Sequence, residues 1–162
     1  MNEPSKMNQR MRGLLQGLKK PAGREELAPG LRSLIDQGLR NVKHCTILAA
    51  FANAARLLTV EKLQDRTGFE CFVNHIHLKD YVRGPMEAQL RQALLLLDEL
   101  KRLLREAGPR QNYEFVVGCN DDGCIVRFHT LWPSETYLDD DLESYSEDAL
   151  LVSRLHLPMR GH

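Results

Sequence analysis

The sequence has no excess of either charge. Its 162 residues include 22 Lys and Arg and 22 Asp and Glu. Without a net charge, the whole chain has no long-range attraction to nucleic acid or to an anionic membrane surface. No apolar stretch approaches the roughly 20 residues that a bilayer-spanning helix needs. The residues after Met1 are polar and do not resemble a secretion signal, so we expect a cytoplasmic protein.

The sequence also lacks the motifs of common catalytic sites. It has no Gly-rich loop suited to cradling a phosphate, and its Ser residues show no nucleophile-elbow context. Cysteine is scarce, with four residues, which in a chain of this length favours reduced thiols over a disulfide framework. Cys119 and Cys124 would nevertheless be close enough to bridge if they were oxidised. We expect no cofactor, and a core that holds without metal or disulfides.

The stretch from Tyr113 to Leu131 carries the clearest structural signal. Apolar residues alternate with polar ones on both sides of the turn Asn120-Asp121-Asp122-Gly123, a pattern that predicts a β-hairpin with one apolar face. The implied register pairs Tyr113 with Thr130, Glu114 with His129, Phe115 with Phe128, Val117 with Val126 and Cys119 with Cys124.

Helical periodicity dominates the rest of the chain. Apolar residues spaced three and four apart predict helices over about 6–20, 27–39, 47–58, 59–66 and 85–107. Residues 69–78 fit both a helical face and strand alternation, and their aromatic and β-branched content favours a strand. Ala149 to Leu155 predicts a last strand.

These elements predict an α+β fold. We expect an antiparallel sheet of about four strands, packed by the long helix from Pro85 to Ala107, with a helical layer from the N-terminal part. We divide the chain into an N-terminal helical layer (1–68) and an α+β core (69–162), together forming one compact domain.

Two patterns leave other functions open. His75 and His77 would lie on one face of a strand, close enough to ligate one metal ion, which suggests a small metal-dependent hydrolase as an alternative. With only two ligands evident, hydrogen-bonded histidines are the simpler interpretation. Residues 59–81 have the outline of a helix-turn-helix, and a DNA-binding regulator is a further alternative. Residues 44–109 are almost neutral, whereas a DNA-binding protein normally has a basic face.

Charge is unevenly distributed along the chain. Residues 1–43 hold nine Lys or Arg against four Asp or Glu, whereas residues 110–162 hold four against ten. The segment from Glu135 to Asp148 alone has seven carboxylates and no basic residue. Adjacent acids in a polar loop rarely form a catalytic pair, which needs a buried member. The segment fits a solvated loop and a protein-binding surface equally well.

The order of residues after Tyr113 resembles a known class of proteins. A strand, a polar turn and a second strand are followed by the pattern Val126-Arg127-Phe128-His129, Trp132-Pro133, Tyr137-Leu138, Asp141-Leu142-Glu143, Tyr145 and 147–152. This order is similar to that of small bacterial immunity proteins of polymorphic-toxin systems, including contact-dependent inhibition systems. The resemblance covers residues 113–152. It implies a stoichiometric inhibitor that occludes a toxin's active site, and not an enzyme.

The acidic segment is compatible with such a role, because many toxins of this class are nucleases with basic clefts. Carboxylates would steer a basic partner toward the surface, and aromatic rings would anchor it. The predicted partner is a cognate toxin protein, with neither nucleic acid nor membrane. The predicted partner-binding residues are Trp132, Glu135, Tyr137, Asp139, Asp140, Asp141, Glu143 and Tyr145. The sequence leaves the oligomeric state open.

Overall fold

The structure is a computed structural model that describes residues 5–159. Its helices are α1 (Gln9–Gln16), α2 (Pro29–Asp36), α3 (Ala52–Arg56), α4 (Arg66–Val73) and α5 (Met86–Ala107). Its strands are β1 (Lys6–Met7), β2 (Leu39–Val42), β3 (Cys45–Leu48), β4 (His75–His77), β5 (Asn112–Asn120), β6 (Gly123–Thr130) and β7 (Ala149–His156). Short 3-10 helices lie at Ala49–Phe51, Val60–Leu63, Leu78–Asp80 and Leu142–Ser144.

The main sheet has five strands in the order β1-β7-β5-β6-β4, and every neighbouring pair is antiparallel. The α+β fold predicted from the sequence, an antiparallel sheet packed by one long helix, is therefore confirmed. The fifth strand is the two-residue β1. A separate two-stranded sheet pairs β2 with β3.

The central hairpin has the predicted register. Phe115 pairs with Phe128, and Glu114 pairs with His129. Gly123 in the turn has φ +122°, and a Cβ there would lie 2.5 Å from the side-chain oxygen of Gln89, so both the backbone and the space require glycine. The same Gln89 oxygen accepts a hydrogen bond from the Cys124 amide at 2.9 Å, which ties α5 to the turn.

Alternation along the strands separates the sheet into two faces. The inner face, with Phe115 and Phe128, packs against the apolar side of α5, where Leu97 and Leu100 are buried. Burying each such large apolar side chain contributes about 1.5–3 kcal/mol. The outer face carries the intervening residues, including Glu114. The inner face is thus the core, and the outer face is where charged groups collect.

The N-terminal part supplies a partly helical layer, as predicted. The apolar side chains of α1 and α2 join the core cluster that α5 and the inner face form. The first predicted helix, 6–20, forms only over α1, because its first residues pair with β7 as strand β1. No helix within residues 5–159 is both long and apolar enough to cross a membrane.

Residues 39–48 form the β2–β3 hairpin, where the sequence analysis predicted the end of one helix, the start of the next and no strand. The second helix ends at Asp36, and the start of the predicted third helix is instead strand β3, whose four residues are all buried. The β2–β3 turn places Lys43 and His44 at φ 54° and 66°. Positive φ at both turn positions is typical of a type I′ turn, which normally has Asn or Gly. The usual sequence signal for this hairpin is therefore missing.

The predicted strand over residues 69–78 is wrong for most of its length. Asp65 caps a helix there by accepting a hydrogen bond from the Gly68 amide at 2.8 Å, and α4 continues to Val73. Only His75–His77 forms a strand. The division of the chain at residue 68 stays a prediction, and α4 crosses that position.

The structure joins Cys119 and Cys124 in a disulfide across the hairpin, where the sequence analysis favoured reduced thiols. The two residues face each other in the β5–β6 ladder, with Cα atoms 4.2 Å apart. The disulfide thus closes the turn end of the hairpin. Cys45 and Cys71 are free and buried, and burial raises the pKa of the Cys45 thiol to about 12.

Glu70 is a fully buried carboxylate that joins four segments. One oxygen accepts hydrogen bonds from the Thr46 amide (3.0 Å) and the Thr130 hydroxyl (3.1 Å). The other accepts from the Thr130 amide (3.2 Å) and the Trp132 indole (2.5 Å). Burial raises the pKa of Glu70, and the four donors oppose that rise. Because all four groups that contact the Glu70 carboxylate are hydrogen-bond donors, the ionised carboxylate can accept a hydrogen bond from each of them.

We expect Glu70→Gln to lower the free energy of unfolding by about 3 kcal/mol. The amide nitrogen would face two donors and leave them without an acceptor, at a cost of about 1–3 kcal/mol each. Urea denaturation would measure the change. Glu61→Gln, an exposed change in the nearby 3-10 helix, is the control and should leave the midpoint unchanged. Equal midpoints for the two variants would contradict this account of Glu70.

Candidate functional site

The acidic loop, Glu135–Asp148, crosses the outer face of the sheet between β6 and β7. Leu142 anchors it, packing in a small buried cluster with Val116 and Leu150. The Asp139 amide donates to the Tyr145 hydroxyl at 2.9 Å, and the Glu143 amide donates to the Asp141 carboxylate at 3.1 Å. The loop is therefore held by its own hydrogen bonds and by an apolar contact with the sheet.

Asn8, at the junction of β1 and α1, fixes the loop from the side. Its side-chain nitrogen donates to the carbonyl oxygens of Asp148 (2.7 Å) and Leu142 (3.4 Å). Its side-chain oxygen accepts from the amides of Leu150 and Met11, both at 3.0 Å. Asn8 is only 2% exposed, so it is a satisfied buried group that joins three distant parts of the chain.

The predicted acidic site residues divide into two groups. Asp139, Asp140, Asp141 and Glu143 are exposed. Glu143 also accepts a hydrogen bond from the Gln9 amide at 2.6 Å, which links it to α1. Glu135 is different: it is partly buried and accepts from the amide of a residue in α4 at 2.8 Å. The exposed group therefore forms a contiguous acidic stretch at the surface, and Glu135 attaches the loop to the neighbouring helix.

The three predicted aromatic anchors are partly buried within the chain. The Trp132 ring lies under the Arg66 guanidinium, 3.9 Å from ring centre to guanidinium carbon. Tyr137 lies with its ring centre 6.2 Å from that of His129, and the Tyr145 hydroxyl is engaged within the loop. A partner would therefore meet the exposed part of each ring. Their role in binding stays a prediction.

A buried charged cluster lies under the loop. Glu114 is 7% exposed and His129 is 1% exposed. One Glu114 oxygen lies 3.2 Å from His129 Nε2, and the other accepts from Arg154 Nε at 2.9 Å. His129 Nδ1 lies 2.7 Å from the Thr130 carbonyl oxygen. Both ring nitrogens thus lie against protein oxygens, which fixes the orientation of the ring.

A cavity of about 70 Å³ separates this cluster from the acidic loop. Glu114, His129 and Arg154 contribute to its floor, and Asp139 and Asp140 are on the loop side. Both His129 nitrogens are engaged by protein oxygens, Nδ1 by the Thr130 carbonyl and Nε2 by the Glu114 carboxylate. The cluster therefore lies beneath the loop, with Tyr137 of the loop beside the His129 ring.

The residues behind the two alternative functions lie elsewhere. His75 and His77 are adjacent on β4, with ring centres 4.9 Å apart. No group of three His, Cys, Asp or Glu that could hold a metal ion occurs in the described part of the chain. In the proposed helix-turn-helix region, a 3-10 helix and α4 lead directly into β4. That region therefore does not form two regular helices.

Sequence reasoning identified two of the three residues of the buried cluster. The hairpin register was enough to place Glu114 opposite His129, but Arg154 enters through the pairing of β5 with β7, where Glu114 lies opposite Arg154. The buried Glu70 had no sequence signal, because its four donors come from three other segments. Neither the β5–β7 register nor those contacts is encoded in a local pattern.

The fold and the site define a two-layer α+β protein with an acidic loop braced over the outer face of its sheet. The model of the uncharacterized protein PM0498 family matches residues 6–156, and the chain belongs to that family. No curated protein and no solved structure matches this chain significantly.

We expect Glu114→Gln to reduce stability at pH 7 and to weaken its dependence on acid. Burial acts to raise the pKa of Glu114, but the hydrogen bonds and charges of His129 and Arg154 hold it below the usual 4.5. A lowered folded pKa contributes stability that is present above pH 4.5 and is lost as the pH falls through the folded value. The Glu114→Gln variant has no carboxylate to protonate at this position, so this acid-dependent loss of stability should be absent from it.

Thermal unfolding between pH 7 and pH 3 would measure both effects. Glu106→Gln removes an exposed carboxylate paired with Arg102, and it is the control because exposed pairs contribute little. The interpretation fails if the acid-induced loss of stability is as large in the Glu114 variant as in the wild type.

Proposed function

We propose that this protein is a non-catalytic inhibitor. In this proposal it is a cytoplasmic immunity protein that binds a cognate bacterial toxin through its acidic loop and occludes the toxin's active site. The observation that carries the proposal is the exposed acidic stretch of the loop, which internal hydrogen bonds and Asn8 brace against the sheet.

Bracing matters because ordering a flexible loop on binding consumes part of the interaction free energy. The loop is attached by Leu142 in its middle and by Asn8 near its end. Its carboxylates therefore keep their relative positions before a partner arrives. Such preorganisation favours a protein-binding surface over a solvated loop, the two readings that the sequence left open.

The charge of the loop is local. The chain as a whole is neutral, yet Glu135–Asp148 has seven carboxylates and no Lys or Arg. Exposed charges act over about 8–10 Å at physiological ionic strength. The loop would thus attract a basic surface at close range and orient it, without drawing nucleic acid to the whole molecule. A nuclease toxin with a basic cleft has the matching charge.

The identity of the partner rests on the resemblance of residues 113–152 to immunity proteins. Those residues include β5, β6 and the whole acidic loop, so the resemblance and the braced surface coincide. Among the predicted aromatic contacts, Trp132 borders the loop and Tyr137 lies within it, and each would contribute the exposed part of its ring.

We expect Asp139→Lys with Asp140→Lys to slow association with the cognate toxin domain of this proposal by about tenfold or more at low salt, because rim charges act mainly on the association rate. These two side chains are exposed, and no hydrogen bond or ion pair engages them within residues 5–159, unlike Asp141, whose carboxylate holds the loop. Stopped-flow kinetics over a range of salt would measure the rates.

The matched control is Asp36→Lys with Asp98→Lys. Both carboxylates are exposed, and they lie on α2 and α5, which pack on the inner side of the sheet. This pair makes the same change in net charge away from the loop. The proposal fails if both double variants associate at the wild-type rate and protect cells from the toxin equally well.

A further inference from the structure

A second concave site lies on the outer face, beyond the acidic loop. It is a groove between α4 and the strands β4 and β6, with a volume of about 270 Å³. This size approaches the lower limit of typical small-molecule sites. Phe72, His75, His77, Arg127 and Tyr137 contribute to its walls. We call it the cationic groove.

The sheet register brings the basic side chains together. His75 pairs directly with Arg127, and His77 pairs with Ile125 in the antiparallel β4–β6 ladder. Because side chains alternate between faces, His75, His77 and Arg127 all lie on the outer face. His75 Nδ1 lies 2.5 Å from the Phe72 carbonyl oxygen, which fixes the orientation of that ring.

The charge of the groove is unbalanced. Its lining contains no Asp or Glu among the described residues. Arg127 makes no ion pair within residues 5–159, whereas Arg32, Arg91 and Arg102 each pair with a glutamate. Its guanidinium carbon lies 5.9 Å from the centre of the Tyr137 ring. A planar guanidinium with free donors matches the oxygens of a phosphate. Burial and the neighbouring His75 lower the pKa of His77, so Arg127, and not His77, supplies positive charge, and the His77 imidazole adds a hydrogen-bonding nitrogen.

An apolar ring adjoins the charged groups. Phe72 is 51% exposed, which is unusual for a large apolar side chain in this structure. Its ring centre lies 5.9 Å from that of His75. A flat apolar group resting on Phe72 would be covered while an attached anion reached Arg127. Aromatic rings pack favourably on one another, so an aromatic group on the ligand would suit this position.

We infer that the cationic groove binds a phosphomonoester with an aromatic organic part, the class that includes 5′-mononucleotides. Arg127 and the two histidines hold the phosphoryl group, and Phe72 packs on the ring. The groove shares Tyr137 with the acidic loop, but this inference does not rest on the proposed toxin partner.

Three probes separate the parts of this inference: AMP, inorganic phosphate and adenosine. In wild-type protein, we expect saturable NMR shifts of the His75 and His77 imidazole signals with AMP, with weaker effects of phosphate and adenosine. His129, which lies outside the groove, should not respond. The absence of saturable shifts with AMP would overturn the site, and adenosine binding as tightly as AMP would overturn the role of the phosphoryl group.

Calorimetry on variants tests the residues. We expect Arg127→Gln to weaken AMP binding by about tenfold or more, because it removes charge-assisted hydrogen bonds. Phe72→Ala should weaken AMP binding and leave phosphate binding unchanged. Arg83→Gln, in an exposed connection, is the charge control and should bind as the wild type does. Equal AMP affinities for the Arg127 and Arg83 variants would overturn the assignment.

Discussion

Alternation of side chains along β5 and β6 is the constraint on which the rest of the structure depends. The register that pairs Phe115 with Phe128 necessarily pairs Glu114 with His129 on the opposite face. A slip of one residue would place charges beneath α5 and aromatic rings under the acidic loop. Because β4 and β7 pair with this hairpin, the positions of His75 beside Arg127 and of Arg154 beside Glu114 follow from pairing with it. Both proposed binding surfaces therefore take their geometry from one hairpin.

The outer face is divided by charge, although the chain is neutral. The acidic loop covers one part, the cationic groove lies beyond it, and the paired charges of Glu114, His129 and Arg154 lie beneath the loop. Tyr137 lines both the cavity under the loop and the groove. A face with separated charges can orient an approaching partner as well as attract it. This separation is a property of the folded chain that the net charge conceals.

Buried polar groups give this face its rigidity. Glu70 connects α4 to β3, to β6 and to the Trp132 side chain, and Asn8 connects α1 to the acidic loop and β7. Each has its hydrogen bonds filled, mostly by partners distant in sequence, and an incompletely paired group in such a position would be costly. These two residues convert a long polar connection into a surface with a defined shape.

The sequence alone determined the elements with local signals: the hairpin with its register, the long helix α5 and the acid-rich composition of the loop. Their periodicity and turn residues are properties of neighbouring positions. The tertiary structure decided the features that no local pattern in the sequence determines. The β2–β3 hairpin forms without a turn signal, residues 69–73 are helical although their composition favours a strand, and Arg154 reaches Glu114 through β7. In each case contacts between distant segments outweigh local preference, because burial and hydrogen bonding are counted over the whole fold.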